Sequence, residues 1–431
     1  MKRRSMGWAT VLMLFVVYML NYMDRAALSI TAPLIEKDLG FNAAELGMVF
    51  SAFFVGYVIF NFLGGMASDK SGPKLVFVFA VMLWSIFCGL TALAVGLASI
   101  LVIRVLFGMA EGPISSAGNK MVNNWISRDE TAMAVGLFSA GSPLGGAIAG
   151  PVVGFLAIAA GWRWAFVIIC CIGLLWTLMW YLTATDTPVN NRFVNKEQRI
   201  ELENKNDISF KNATANNKQN LSLGYYMKQP IVLATAVAFF SYNYVLYFFL
   251  TWFPSYLNQT MHLDIKQLSI ATIIPWLIGA MGMVMGGALS DYIYRITGRA
   301  LFSRKLVLGT CLLATAVCVA ISGNVATVQS AIILMSCSLF LLYLTGAIYW
   351  AIIQDVVHKS KVGSVGGAMH GIANTSGIIG PLVTGFIVQA TGNFSMAFFL
   401  AGAVALIGGI LVIFCIKDKS SVKSVSLNQG I

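Results

Sequence analysis

Of 431 residues, 58% are hydrophobic and only 10% carry charge, too little polar surface to coat a soluble globule of this size. The composition excludes a water-soluble enzyme or binding module and indicates an integral membrane protein held in a lipid bilayer. A net charge of +11 would suit nucleic acid if it were clustered, but the basic residues alternate between loops, and no nucleic-acid partner is expected.

Twelve apolar runs of about 20 residues, bounded by Gly, Pro or charges, begin near residues 7, 48, 75, 99, 133, 163, 229, 267, 304, 327, 363 and 393. Each is long enough for a helix to cross about 30 Å of hydrocarbon. Lys and Arg collect on one set of loops, among them Arg4, Lys70, Lys74, Arg128, Arg295, Arg304, Lys361 and Lys417. The short loops opposite hold only Lys37, Arg163 and Lys266. The positive-inside rule then places both termini and the central linker in the cytoplasm. The first run continues into Asp24-Arg25 rather than a small-residue cleavage site, so it is expected to remain as the first helix.

In that first run, Asp24 and Arg25 point about 100° apart around the helix and cannot both serve one partner. One is expected to face a cavity and the other a neighbouring helix; alternatively, the pair marks the helix end. The second run closes on Gly65, Asp69, Lys70, Gly72 and Lys74, whose spacing resembles the loop signature of the major facilitator superfamily and suits a tight cytoplasmic turn. The fourth run carries Arg104 and Glu111. A charge at mid-bilayer costs about 2.5–3.5 kcal/mol on insertion scales, so each needs a partner, a watery cavity or a function. Seven residues amount to two turns less 20°, so both lie on one face, roughly 10 Å apart along the axis. Gly108 between them lets a ligand or a neighbouring helix approach. This is the geometry of an anion site beside a proton site, unless the two form a structural ion pair.

The fifth run has Gly146, Gly150 and Gly154 at four-residue spacing, a face for close helix packing. Residues 186–226 turn polar and read as a cytoplasmic linker, with a short surface helix expected from Asn195 to Lys205. The seventh run is aromatic from Tyr242 to Phe253, as an interfacial belt, as packing, or as a gate bent at Pro254. Gly287 and Asp291, with Arg295 after them, echo the first loop signature 222 residues later. Gly136, Gly141, Gly150 and Pro151 recur at an offset of 230 as Gly366, Gly371, Gly380 and Pro381. Such self-similarity predicts two related halves, with a site near the midplane between them. The layout is therefore an N-terminal six-helix bundle (1–185), the linker, a C-terminal six-helix bundle (227–417) and a cytoplasmic tail (418–431). Trp350 and Gln354 in the tenth run, and His370 and Asn374 in the eleventh, should turn inward, where they bind a polar ligand or bond across helices. The seven cysteines make no metal-binding spacing and read as packing residues. No metal site is expected.

Asn21-Tyr22-Met23-Asp24-Arg25, Arg104 through Glu111-Gly112-Pro113, and Phe248-Phe249-Leu250-Thr251-Trp252-Phe253-Pro254 resemble the anion:cation symporter family within that superfamily. The family includes bacterial proton-coupled carriers of sugar acids and relatives of sialin and the vesicular glutamate carriers. The resemblance implies that Asp24 and Glu111 are proton-coupling acids and that Arg25 and Arg104 answer the substrate carboxylate or those acids. It also implies that Tyr22, Tyr57 and Trp350 lie near sugar hydroxyls. His370, where family members commonly carry Asn, and Ser142, where they commonly carry Gln, depart from the pattern at positions that bear on hydroxyl recognition.

The expectation is an all-α membrane protein of twelve helices in the major facilitator fold. It would act in the bacterial cytoplasmic membrane as a monomeric secondary transporter, not an enzyme. It would import a small organic anion, most consistently a sugar acid, with protons and by alternating access, driven by the proton gradient without a cofactor. The alternative is an organic-anion exchanger with no net proton flux.

Overall fold

A computed structural model describes residues 3–126, 130–191, 222–358 and 361–416. The described residues are helical with no strand. Among the described residues, twelve helical spans are long and apolar enough to cross a membrane. They are Met6–Leu39, Ala43–Asn61, Pro73–Leu93, Leu97–Trp125, Met133–Ala160, Trp162–Thr183, Pro230–Gln259, Ile265–Thr297, Ala300–Ser322, Val328–Val356, Val362–Thr391 and Ser395–Cys415. The expected linker helix at Asn195 to Lys205 and the tail from 418 lie outside the described residues.

Four spans expected to be continuous are interrupted. The fourth divides into Leu97–Glu111 and Ile114–Trp125 around Gly112-Pro113, because proline has no N–H to continue the ladder. The tenth divides into Val328–Leu344 and Ile348–Val356 around Gly346, and the eighth and eleventh are interrupted at Thr272 and Thr375.

The described residues fall into two compact units. The first takes in the first six spans together with Phe249–Leu277 and Gly377–Asn393. Within it, the second and eighth spans start on matching capping boxes. Asn42 Oδ1 accepts from the Glu45 N–H at 2.9 Å, and Asp264 Oδ1 accepts from the Gln267 N–H at 2.7 Å. Asn42 and Asp264 stand at the same 222-residue offset as the loop signatures, so the repeat extends to both ends of these spans. Each box satisfies N-terminal N–H groups that a helix otherwise leaves open.

Small residues then let backbones cross. A Cβ on Gly47 would lie 2.8 Å from the carbonyl oxygen of Pro381 and 3.1 Å from Cα of Gly385, while Ser51 Oγ donates to the Ile378 carbonyl at 2.8 Å. Gly150 and Gly154 abut Ser269 in the same way, as the small-residue face of the fifth run led one to expect.

The turn between the second and third spans closes on a residue the motif reading missed. Gly72 has φ 79°, and a Cβ there would meet the Asp186 carboxylate at 2.6 Å. The Lys74 N–H donates to Asp186 Oδ1 at 2.7 Å, placing a carboxylate at the N-terminus of the third helix, where the helix dipole favours negative charge. Asn124 Nδ2 donates to the Asp186 carbonyl at 2.9 Å. Lys70 sits exposed in the last turn of the second helix, and the Lys74 ammonium lies 5.2 Å from the Tyr181 ring centroid. Gly65 and Asp69 are on the helix, with the Asp69 side chain outside the described residues.

The second unit takes in the described residues of Leu221–Phe248, Ile278–Ser376 and Phe394–Ile431. Its echo of the loop signature is not closed like the first. Asp291 and Arg295 are exposed, and an ion pair of this unit runs from Arg304 Nε to Asp355 Oδ2 at 2.7 Å, joining the ninth and tenth spans.

Two readings are narrowed or corrected. Of those open for the seventh span, the aromatic series is packing and not an interfacial belt: Tyr242, Tyr244, Tyr247, Phe248, Phe249, Trp252 and Phe253 are all buried. Nor are all cysteines packed inside. Cys171 and Cys337 are exposed on their spans, where a small apolar side chain is compatible with lipid.

Candidate functional site

In the first unit, the first and fourth spans bring together two acids and two arginines, beside aromatics of the second. Glu111 and Arg104 are 0% and 2% exposed and Asp24 is 2%. Arg25 Nε donates to Glu111 Oε2 at 2.7 Å, a charge-assisted bond. The Arg25 guanidinium is also surrounded by Tyr22, Phe53 and Tyr57, with ring centroids at 5.0, 4.8 and 4.5 Å, which stabilise a cation through their faces. Asp24 lies in electrostatic reach of Glu111, Arg104 and Arg25, and its Oδ1 has no hydrogen-bond partner.

Arg104 is different. Its carbon Cζ lies 5.2 and 5.7 Å from the Phe107 and Phe166 ring centroids, yet its Nε and Nη2 are buried with no hydrogen-bond partner. Glu111 pairs with Arg25 across spans rather than with Arg104 along its own helix, so the intrahelical ion pair is not formed. Asp24 and Glu111 act on Arg104 through space, but its buried Nε and Nη2 make no hydrogen bond, and leaving a charged donor unsatisfied costs about 1–3 kcal/mol or more, which an arriving carboxylate would offset. Gly108 serves a helix contact: a Cβ there would collide with the Phe53 carbonyl oxygen, so the second span packs directly on the fourth and holds Phe53 and Tyr57 over Arg25. A cavity of about 20 Å³ lined by Arg25, Phe53, Arg104, Phe107, Leu250 and Thr251 has room for a water molecule, well short of a sugar.

The second unit collects the other polar candidates. Tyr247 Oη donates to Asn374 Oδ1 at 2.6 Å, and Asn374 Nδ2 donates to the His370 carbonyl at 2.8 Å. Asn374 therefore makes the cross-helix bond that was one of its two expected roles. The His370 ring lies between Trp350 and Phe239, with centroids at 5.9 and 5.5 Å, and Phe239 stacks on Tyr349 at 4.5 Å. Trp350 is 36% exposed, the open end of this aromatic row.

Phe53, Phe166 and Asp186 were not singled out in the sequence. Phe53 precedes Tyr57 by one helical turn, a signal that was available; Phe166 and Asp186 meet their partners only through tertiary packing. Among the described residues no group of His, Cys, Asp and Glu could hold a metal ion.

Two buried acids and two buried arginines on twelve apolar spans suit a carrier of small anions, and comparison with known proteins identifies the family. Profiles of protein families match residues 14–379, and again 299–430, to the Major Facilitator Superfamily. The chain belongs to the Major Facilitator Superfamily. Its homologues there are transporters, not enzymes. A hexuronate transporter of Bacillus subtilis (strain 168) is 50% identical over 405 residues, covering 94% of this chain and 93% of the relative. A "Probable galactarate/D-glucarate transporter GudP" of the same organism is 31% identical over 416 residues, covering 94% and 90%. Among solved structures, a D-xylose–proton symporter superposes with TM-score 0.75 at 14% identity, covering 96% of this chain and 98% of that one, a likeness of fold.

Proposed function

We propose that this superfamily member imports a sugar acid of the hexuronate class together with protons, by alternating access across the bacterial cytoplasmic membrane. The observation that carries the reading is Arg104, a buried guanidinium without a hydrogen-bonding partner, beside an Arg25 held by Glu111. A substrate carboxylate can pair with Arg104 at once, whereas it reaches Arg25 only when Glu111 lets go. Protonating Glu111 removes the charge-assisted bond and releases Arg25, so proton and substrate favour each other.

Charge balance supports coupling. With Asp24 and Glu111 ionised and both arginines charged, the cluster is neutral. A monovalent sugar acid adds one negative charge that a single proton cancels, and a dicarboxylate calls for two. In a water-poor site, the neutral combination is the one that moves most readily. Tyr22, Tyr57, Trp350, His370 and Asn374 are assigned to the substrate's hydroxyls or to shaping their pocket, and Thr251 lines the cavity beside Arg104.

The two bundles, 1–185 and 227–417, rock about this midplane site, with the turn at Gly65, Asp69, Lys70, Gly72 and Lys74 and its echo at Asp291 and Arg295 as conformational contacts. Both termini are cytoplasmic, the monomer contains the whole pathway, and the proton gradient is the energy source with no cofactor. The test is uptake of glucuronate, galacturonate, glucarate and sulfoacetate into proteoliposomes, with an inward proton gradient imposed or collapsed and internal anion present or absent. Accumulation of a hexuronate that follows the proton gradient supports the reading. Accumulation that requires internal anion replaces symport with exchange.

A further inference from the structure

The eighth span ends in the helix Ile273–Thr297, and one face of it passes from apolar to basic without interruption. Met281, Val284, Met285, Tyr292 and Ile296 are exposed, Tyr292 and Ile296 by 63% and 68%. At 100° per residue these five and Arg295 fall within an arc of about 120°, the width of one lipid-facing stripe. The whole span has 33 residues, about 50 Å of helix, against about 30 Å of hydrocarbon. Its last turns must therefore reach the headgroups. Arg299 follows just past Gly298, which turns the chain at φ 66°. Arg295 and Arg299 are both exposed, and neither guanidinium has an ion pair among the described residues. The corresponding turn of the first half closes on Asp186, so the two turns share a sequence signature and differ in partners. Asp291, exposed at the edge of the stripe, is the acid nearest in sequence.

We propose that Tyr292, Arg295 and Arg299 form a docking surface for anionic phospholipid headgroups. The stripe of Met281, Val284 and Met285 would lie along the acyl chains, Tyr292 at the polar boundary, and the two guanidiniums on the phosphate. Basic residues at a cytoplasmic membrane surface attract anionic lipid, and tyrosine is enriched at that depth. The inference rests on the cytoplasmic placement of this turn given under the proposed function.

The test is native mass spectrometry of the purified full-length protein titrated with phosphatidylglycerol or phosphatidylcholine of matched chains. The wild type should retain phosphatidylglycerol preferentially. Arg295→Gln and Arg299→Gln should each lower that preference about fivefold, Asp291→Asn should raise it, and Lys37→Gln, on the opposite side, should leave it unchanged. A wild type without preference, or a double arginine variant that keeps it, overturns the proposal. Because the readout is lipid retention rather than uptake, such a failure leaves the sugar-acid reading intact, and a failure of uptake leaves the lipid surface intact.

Discussion

Replacing Glu111 with Gln tests the coupling argument at its centre. Glu111 is 0% exposed and among the described residues pairs with Arg25, whose Nε donates to it at 2.7 Å. Glutamine keeps the shape and can still accept that hydrogen bond through its amide oxygen, so only the charge is lost. The amide still accepts a bond from the charged guanidinium, but the Coulomb attraction between two ionised partners, about 1 kcal/mol even in water at about 4 Å, is removed. The hold on Arg25 therefore weakens by about 1–2 kcal/mol, and a substrate carboxylate competing for Arg25 should bind roughly 5- to 30-fold more tightly. Calorimetry on purified protein measures this directly. Wild-type affinity should rise as the pH falls, because protonation of Glu111 produces the same neutral group. The affinity of the Gln variant should be flatter with pH, any remaining slope belonging to Asp24. In proteoliposomes the variant should exchange substrate across the membrane yet fail to concentrate it under an imposed proton gradient. A variant that accumulates hexuronate like the wild type, or that binds it more weakly at every pH, would refute the reasoning.

Three further outcomes follow from named contacts. Arg104→Ala should abolish uptake while leaving a folded protein in the membrane, read as an unchanged membrane level and a single gel-filtration peak; near-normal uptake would end its assignment as a carboxylate receptor. Gly108→Val should lower stability by several kcal/mol or prevent insertion, because the Phe53 carbonyl occupies the space a side chain needs, and a melting temperature equal to wild type would show that the second and fourth spans can part freely. Asp186→Ala removes the acceptor for the Lys74 N–H and the charge at the start of the third helix, at a cost of about 1 kcal/mol. Hydrogen exchange at the second-to-third turn should accelerate accordingly, and unchanged protection there would count against the clasp.

Much of this protein was legible in order along the chain, because a bilayer imposes simple rules. Hydrocarbon requires long apolar helices, so twelve runs were countable, and buried ionisable groups are costly enough to mark Asp24, Arg25, Arg104 and Glu111 as a site before any folding. The 222-residue repeat was likewise visible, and the capping boxes at Asn42 and Asp264 could have extended it. What periodicity could not supply was partnership. Arg104 and Glu111 share a helix face, yet Glu111 pairs with Arg25, 86 residues away. Side chains one or two turns apart are neighbours by construction, whereas a bond across helices depends on which spans pack together and at what height. The same limit hid Asp186 behind Gly72, concealed the burial of the seventh span's aromatics, and left open whether Gly108 admits a ligand or a helix. Composition and spacing determined that these charges lie in the membrane; only the packing of the first span beside the fourth decided that Glu111 holds Arg25 and leaves Arg104 Nε and Nη2 without a hydrogen-bond partner.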